Sequence, residues 1–282
     1  MNKFYIQIVF FLLSVSVYLN NKTLATEPAP ENATKTKSKK LYLTSEEIYE
    51  QNKELLCTNP EEIENAEKLM NEAITHLEYH INNGDYKMSG PITPCDRTFC
   101  IKNHEDTIFQ RDNFKYKGSD NYNEIINLLW DPALANYFNI SSVERKIERV
   151  YNPNLILIQQ RYKKDSGPNQ KYFYALVKKA QISKDKTIIV MVSPNINDGY
   201  PSDKEYKNNI IENANLFKID IDSEDDIKNG EIKKTHVNIA GYIIEHRNWY
   251  ININYCESID GLTSNDQEVF IRIPLINLVR SI

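Results

Sequence analysis

The stretch that decides the fold runs from residue 122 to residue 258 and opens with Tyr122-Asn-Glu-Ile-Ile-Asn-Leu-Leu-Trp-Asp-Pro132. This opening predicts one short helix over residues 122–130, stopped by the proline, which disfavours helical geometry in the residue before it. Long strand-like segments follow, at residues 143–149, 155–162, 172–182, 187–193, 232–245 and 249–256. Long antiparallel strands can curve around an interior, and none of their polar residues is arranged for catalysis. The stretch therefore indicates a container rather than an enzyme.

Side-chain alternation supports the strands. Trp249, Ile251, Ile253 and Tyr255 fall on one face of the last strand and polar residues on the other. Residues 155–158 and 188–192 are apolar on both faces, as in central strands that are covered twice.

A longer helix is predicted upstream, over residues 61–81. Asn59 can cap it, Pro60 suits its first position, and Asn83-Gly84 ends it. Two further strands are predicted at residues 98–103 and 107–117. A second short helical turn is predicted at residues 133–138. The order of helix, strands, two short helices and strands predicts an α+β fold with an antiparallel sheet.

The first 59 residues read as leader sequence. Residues 1–25 have the positive start, apolar run and small-residue end of a secretory signal peptide, with an uncleaved anchor as the weaker alternative. Residues 26–40 are polar and lysine-rich, which predicts disorder, and residues 41–56 are weakly helical. We expect a disordered or loosely helical leader over residues 26–59, one domain over residues 60–282, and secretion.

Composition limits the remaining function classes. The chain has 282 residues, a net charge of −5 and only 8 glycines, which argues against nucleic-acid binding and nucleotide-cradling loops. Its four cysteines permit two disulfides in any of three pairings. A local bridge between Cys95 and Cys100 is easy to form, whereas Cys256 can equally be a buried apolar group.

Candidate metal sites are weak. His76 and His80 lie one turn apart, but Glu78 does not occupy the position of a zinc-protease glutamate, so a solvated helix face is expected. The acidic run over residues 220–226 lacks the order of a calcium loop and predicts a charged loop between strands. No metal, cofactor or catalytic residue is predicted.

Four sequence blocks carry a family resemblance: Asn-Leu-Leu-Trp-Asp-Pro at 127–132, Val-Glu-Arg-Lys-Ile-Glu-Arg-Val-Tyr-Asn-Pro-Asn at 143–154, Lys-Tyr-Phe-Tyr-Ala-Leu at 171–176, and Val-Asn-Ile-Ala-Gly-Tyr-Ile-Ile at 237–244. From about residue 60 onward the chain resembles a START (StAR-related lipid-transfer) domain. More closely, it resembles the fam-a exported multigene proteins of malaria parasites, and the signal sequence and basic leader are similar to theirs.

The resemblance implies a START-type helix-grip fold, with a curved antiparallel sheet around a lipid tunnel and a closing C-terminal helix. It implies non-covalent binding of a phospholipid, with phosphatidylcholine as the candidate, and its transfer between membranes. The implied partners are that lipid and, transiently, a membrane surface, and no nucleic acid is expected. The resemblance further implies a monomer that is secreted and exported into the host cell. Residues 275–282 supply only about two turns of closing helix, so weaker lipid retention is expected.

Two alternatives stay open. The first is an exported interaction or antigenic scaffold that keeps the START fold without lipid transfer. The second is a hydrolase on the same fold, for which the sequence offers no nucleophile–base pair.

The candidate lipid-contacting residues are Trp130, Phe138, Gln159, Arg161, Tyr172, Phe173, Tyr174, Asn238, Tyr242 and Ile251. Alternation requires either Gln159 with Arg161 or Gln160 with Tyr162 to point inward, and does not choose between the pairs. A buried arginine here would need a partner, either a lipid phosphate or an interior carboxylate. The charged residues of 144–149 indicate instead the outer face of an edge strand.

Overall fold

The structure is a computed structural model that describes residues 42–88, 98–104, 107–132, 143–162, 170–202 and 206–262. The predicted signal peptide, Cys95, the short helical turn that includes Phe138 and the closing C-terminal helix lie outside these residues.

Three helices precede the main run of strands. Helix α1, Ser45–Gln51, starts with a capping box in which Thr44 and Glu47 satisfy each other's backbone amides. Helix α2, Pro60–Asn82, is capped by the Asn59 side chain and has proline in its first turn, as predicted. Helix α3, Tyr122–Trp130, has the predicted bounds.

The strands among the described residues are β1 (Lys87–Met88), β2 (Thr98–His104), β3 (Thr107–Tyr116), β4 (Val143–Asn152), β5 (Leu155–Tyr162), β6 (Lys171–Ser183), β7 (Lys186–Val192), β8 (Asn195–Asn197), β9 (Lys218–Asp220), β10 (Lys233–Lys234), β11 (His236–His246) and β12 (Ile251–Asp260). One large sheet has the order β1-β2-β3-β12-β11-β7-β6-β5-β4, and neighbours along this path are antiparallel. Strand β10 adds to β6 in parallel.

An excursion separates β7 from β11, although the two strands are neighbours in the sheet. It contains the parallel pair β8–β9 and the short helices α4, Glu212–Leu216, and α5, Asp225–Lys228. The prediction of a charged loop at residues 220–226 was therefore wrong in part, because Asp220 ends β9 and Asp225 begins α5. The strand predicted from residue 232 begins at His236, after the separate strand β10.

The sheet has two faces with different covers. The outer face packs against α2, whose Ala66, Met70, Ala73 and Leu77 join one hydrophobic cluster with outward side chains of β5, β6 and β7. The inner face packs against α3 and α1 in a second cluster. Because Ile48 of α1 is only 3 % exposed, the segment predicted to be weakly helical is docked on the inner face.

The sheet is strongly curved. Tyr162 on β5 and Glu257 on β12 are four strand spacings apart, about 19 Å on a flat sheet. Their side chains nevertheless lie close enough for the Glu257 carboxylate to influence the pKa of Tyr162. The inner face is therefore the concave side of a cup.

Cys57, Cys100 and Cys256 are buried free thiols. No disulfide therefore joins the cysteines that the structure describes, and Cys256 is the small buried group that the sequence allowed. Within the same residues, none of the helices has the length and apolar character needed to cross a membrane.

Candidate functional site

A chain of hydrogen bonds joins two neighbouring strands on the inner face. Arg145 of β4 donates from Nε and Nη2 to Oε1 of Gln160 on β5, at 2.9 and 2.5 Å. Gln160 donates in turn from Nε2 to the Tyr162 hydroxyl at 2.7 Å. Alternation along β4 and β5 sends these three side chains toward the same interior as Val143 and Ile158.

The hydrogen-bond partner of Arg145 is neutral, although the Asp131 carboxylate is near enough to act on its pKa. Among the described residues, no carboxylate forms a salt bridge with its guanidinium. Burial lowers the pKa of Arg145, but a guanidinium stays protonated at neutral pH. Trp130 is 3 % exposed, and its indole Nε1 has no hydrogen-bond partner within the part of the chain that the structure describes. The inner face thus holds the Arg145 cation and the unpaired Trp130 N–H donor, and an anionic hydrogen-bond acceptor would pair with both.

These two donors line the same cavity. Arg145, Trp130 and Tyr242 share its wall with apolar side chains of β5, β6 and β7, including Ile158 and Met191. The cavity measures about 10 Å³, which is close to the space of one water molecule.

Three tyrosines gather on the inner face beside a buried acid. Tyr242 of β11 and Tyr255 of β12 are paired across the strands, with ring centroids 4.8 Å apart. Burial raises the pKa of all three tyrosines; in addition, Tyr242 contributes to the raised pKa of Tyr162, and Tyr162 to that of Tyr255. The Tyr255 hydroxyl donates to Glu257 Oε2 at 2.6 Å. Burial, reinforced by Asp112, raises the pKa of Glu257 to about 8.

The structure divides the predicted site residues between the two faces. Trp130, Phe173, Tyr242 and Ile251 all belong to the inner-face cluster. Phe138 lies outside the described residues.

Most of the other candidates point to the outer face and cannot share this interior. Arg161 forms salt bridges with Asp226 at 2.6 Å and Glu224 at 3.0 Å, in and beside α5. Gln159 donates to the Tyr174 hydroxyl and to Glu224. Tyr172 and Tyr174 pack against Ile227 and Ile232 of the excursion.

Asn238 also lies away from the inner face. Its Nδ2 donates to the Ser258 hydroxyl at 3.4 Å, next to an irregularity in the β11–β12 register. The aromatic group predicted from Tyr172, Phe173 and Tyr174 is split for the same reason, since neighbouring residues of a strand face opposite ways.

Sequence reasoning missed Arg145, Gln160, Tyr162, Tyr255 and Glu257 as site residues. Alternation along β5 leaves open whether Gln160 and Tyr162 or Gln159 and Arg161 point inward. Arg145 was assigned to the outer face of an edge strand. The strand is indeed at the sheet edge, but its alternation sends Arg145 inward and Lys146 outward, toward Glu224.

The weak metal candidates find structural roles instead. Across the described part of the chain, no group of three His, Cys, Asp or Glu side chains could hold a metal ion. His80 is buried and stacks on Phe109 with ring centroids 4.2 Å apart, so the prediction of a solvated histidine face was wrong for this residue. The acid Glu224 pairs with Lys146 and Arg161.

Comparison with known proteins identifies the fold. The sequence matches no family model and no curated protein. Its structure is similar to the crystal structure of human STARD10, with a TM-score of 0.50 and 10% identity over 73% of this chain and 76% of that one. It is equally similar to human StAR-related lipid transfer protein 5, with a TM-score of 0.50 and 11% identity over 75% of this chain and 91% of that one. The chain therefore has a START-type helix-grip fold.

Proposed function

We propose that this chain binds one phospholipid against the inner face of its sheet and carries it between membranes without covalent chemistry. The observation that carries the proposal is the Arg145 guanidinium, whose hydrogen-bond partner is the neutral Gln160, beside the unpaired Trp130 Nε1 at the wall of an otherwise largely apolar cavity. Phosphate oxygens accept strong hydrogen bonds from a guanidinium, and acyl chains gain roughly 0.8 kcal/mol for each buried CH₂.

Phosphatidylcholine is the proposed lipid, with phosphocholine as its head group. A choline cation is recognised by several aromatic faces that meet at one point. Tyr162, Tyr242 and Tyr255 gather on the inner face, with the Glu257 carboxyl beside them. A zwitterion with its phosphate at Arg145 and its choline among the tyrosines would use both polar parts of the cup.

Lipid entry on this proposal requires movement. The cavity at Arg145 is about 10 Å³, so acyl chains must displace the inner cover. Helix α1 is the cover that the described residues offer for displacement, because it is short and contributes few buried side chains.

The same small cavity favours a second candidate, an interaction scaffold that keeps the fold with a filled interior. The two candidates differ in one respect that can be measured: only the first takes up lipid. A hydrolase would in addition return an altered lipid, whereas the carrier returns the lipid intact.

The proposal is tested by transfer of fluorescent phosphatidylcholine from donor to acceptor vesicles. Arg145→Gln removes the charge that faces the phosphate, and a charge-assisted hydrogen bond contributes about 1.5–3 kcal/mol, so transfer should fall roughly tenfold or more. Arg161→Gln is the matched control, since its side chain lies on the outer face.

Thermal unfolding of each variant checks that it is folded. Wild-type transfer with an equal rate in Arg145→Gln would reject the proposed site. Absence of any transfer by the wild-type chain would favour the scaffold.

We further propose secretion after cleavage near residue 26, export into the host cell, and membership of the fam-a proteins, all resting on the sequence blocks and the apolar start. N-terminal sequencing of the protein from its native source tests the cleavage, and recovery of Met1 would contradict it.

A further inference from the structure

Two hairpin turns and a third strand end lie side by side at one end of the large sheet. The β6–β7 turn and the β11–β12 turn are joined by a hydrogen bond from the His246 amide to the Asp185 carbonyl, at 2.8 Å. The end of β3 lies next to the second turn, because Tyr116 pairs with Ile251. We call this set of turns, residues 115–118, 182–186 and 246–250, the hairpin end.

The hairpin end presents large apolar side chains to solvent. Trp249 is 85 % exposed at the tip of the β11–β12 turn, and Ile182 is 48 % exposed on the neighbouring hairpin. The turn itself is closed by the backbone, with the Arg247 amide donating to the Tyr250 carbonyl at 2.9 Å. The fold therefore does not require an indole at this position, and an exposed indole is unfavourable in water.

The charge of the hairpin end differs in sign from that of the chain. Its cations are Lys115, Lys117, Lys184, Lys186 and Arg247, and the carboxylates that pair with them are Asp185, the adjoining Glu245 and, from α2, Glu78, which leaves an excess of two positive charges. The whole chain carries a net charge of −5. Lys115 Nζ lies 5.8 Å from the centre of the Tyr250 ring, so cations and aromatic rings are interleaved.

We propose that the hairpin end is the surface by which this protein docks on an anionic lipid bilayer, with Trp249 inserted at the head-group level. Tryptophan favours the membrane–water interface, where its ring is buried and its N–H stays hydrated. Lysine and arginine around it are attracted to anionic lipid head groups. A row of convex turns with one projecting aromatic side chain suits a broad fluid surface better than a groove-forming protein partner. The inference rests on the proposed lipid-carrier function and names the surface that meets the membrane.

Vesicle flotation with the full chain tests the docking surface. The probes are vesicles of phosphatidylcholine with and without phosphatidylserine, and the variants are Trp249→Ser, Lys184→Gln with Arg247→Gln, and Leu216→Ser. The last is the matched control, because Leu216 is 81 % exposed but belongs to α4 in the excursion. Wild type and Leu216→Ser should float equally with phosphatidylserine vesicles. Trp249→Ser should float at least threefold less, and the charge variant should lose the phosphatidylserine dependence.

A fluorescence measurement gives an independent reading, because the chain has two tryptophans and Trp130 is buried. The difference between wild-type and Trp249→Ser spectra isolates Trp249, which should shift to the blue and be quenched by brominated acyl chains. Equal flotation of wild type and Trp249→Ser, or a Trp249 signal unchanged by vesicles, overturns the proposal. If the protein docks through Trp249 but never holds a lipid, the docking surface is supported and the carrier function is rejected.

Discussion

At the residue scale, Arg145 is the feature that most needs an explanation. A cation inside a protein is stabilised by an anion in contact with it, yet the half-buried Arg145 guanidinium donates to the amide oxygen of Gln160 and has the Asp131 carboxylate near it without a salt bridge. On the outer face, Arg161 has two carboxylates within salt-bridge distance. Arg161 on the outer face thus has carboxylate partners, whereas Arg145 on the inner face has a neutral hydrogen-bond partner. This difference is expected if the phosphate of a bound lipid supplies the anion for Arg145.

Glu257 gives a prediction about pH. Its pKa is raised from 4.5 to about 8 by burial, so the folded chain holds a proton that the unfolded chain releases between these values. The resulting loss of stability is absent below about pH 4, grows as the pH rises, and becomes constant above about pH 8.

Glu257→Gln removes this titration. The variant should therefore be more stable than wild type at pH 7, by an amount on the order of 3 kcal/mol at most, and equal to it near pH 4. Urea unfolding of the lipid-free chain across this range is the measurement. A difference between the two proteins that does not depend on pH would show that Glu257 is not held protonated.

At the element scale, the sheet and α2 approach each other closely at Gly241. A Cβ atom added there would lie 2.3 Å from the Ile189 carbonyl oxygen and 2.8 Å from a methyl group of Leu77. Because Gly241 has no side chain, α2 can pack directly against β11 on the outer face.

Gly241→Ala tests this contact. The added methyl group forces the backbone or α2 to move, which should lower the free energy of unfolding by about 1–3 kcal/mol. Urea denaturation measures the change. An unfolding midpoint equal to that of wild type would mean that α2 is not packed as closely as the structure has it.

Helix α1 gives a second prediction for this scale. Ile48 anchors α1 on the inner-face cluster, and Lys179 Nζ donates to Ser45 Oγ beneath it. Ile48→Asp should release α1, because a carboxylate cannot remain unpaired in that cluster.

Released α1 should give faster lipid exchange between chain and vesicles, by several-fold, and earlier proteolysis around residues 42–56. Glu50→Gln, on the exposed side of α1, is the control. An exchange rate that does not change on Ile48→Asp would show that lipid enters elsewhere.

The sequence predicted the long elements well for a physical reason. Helices α2 and α3 have clear caps or stops, and β5 has an apolar run bounded by a turn, so local chemistry determines their ends. Strands β8, β9 and β10 have two or three residues each, which is too short for a periodic pattern to be recognised.

The site was harder to predict, because a shift of one residue exchanges the two faces of a strand. That single choice placed Gln159 and Arg161 inside and left out Gln160 and Tyr162. Only the packing of α3 and α2 on opposite faces settles it.

At the scale of the whole molecule, a curved sheet brings donors and aromatic rings from β4, β5, β11 and β12 into one interior. The proposed function requires that interior to accept a phospholipid, although the cavity beside Arg145 and Trp130 measures only about 10 Å³. The outer face, in contrast, packs against α2 and against Ile227 and Ile232 of the excursion.

Native mass spectrometry of the full chain, after incubation with phosphatidylcholine vesicles and gel filtration, shows whether the interior holds a phospholipid. We expect one added mass per chain that matches an intact diacyl phosphatidylcholine, and its loss in Arg145→Gln but not in Arg161→Gln. A wild-type chain that carries no lipid mass under these conditions would contradict the account.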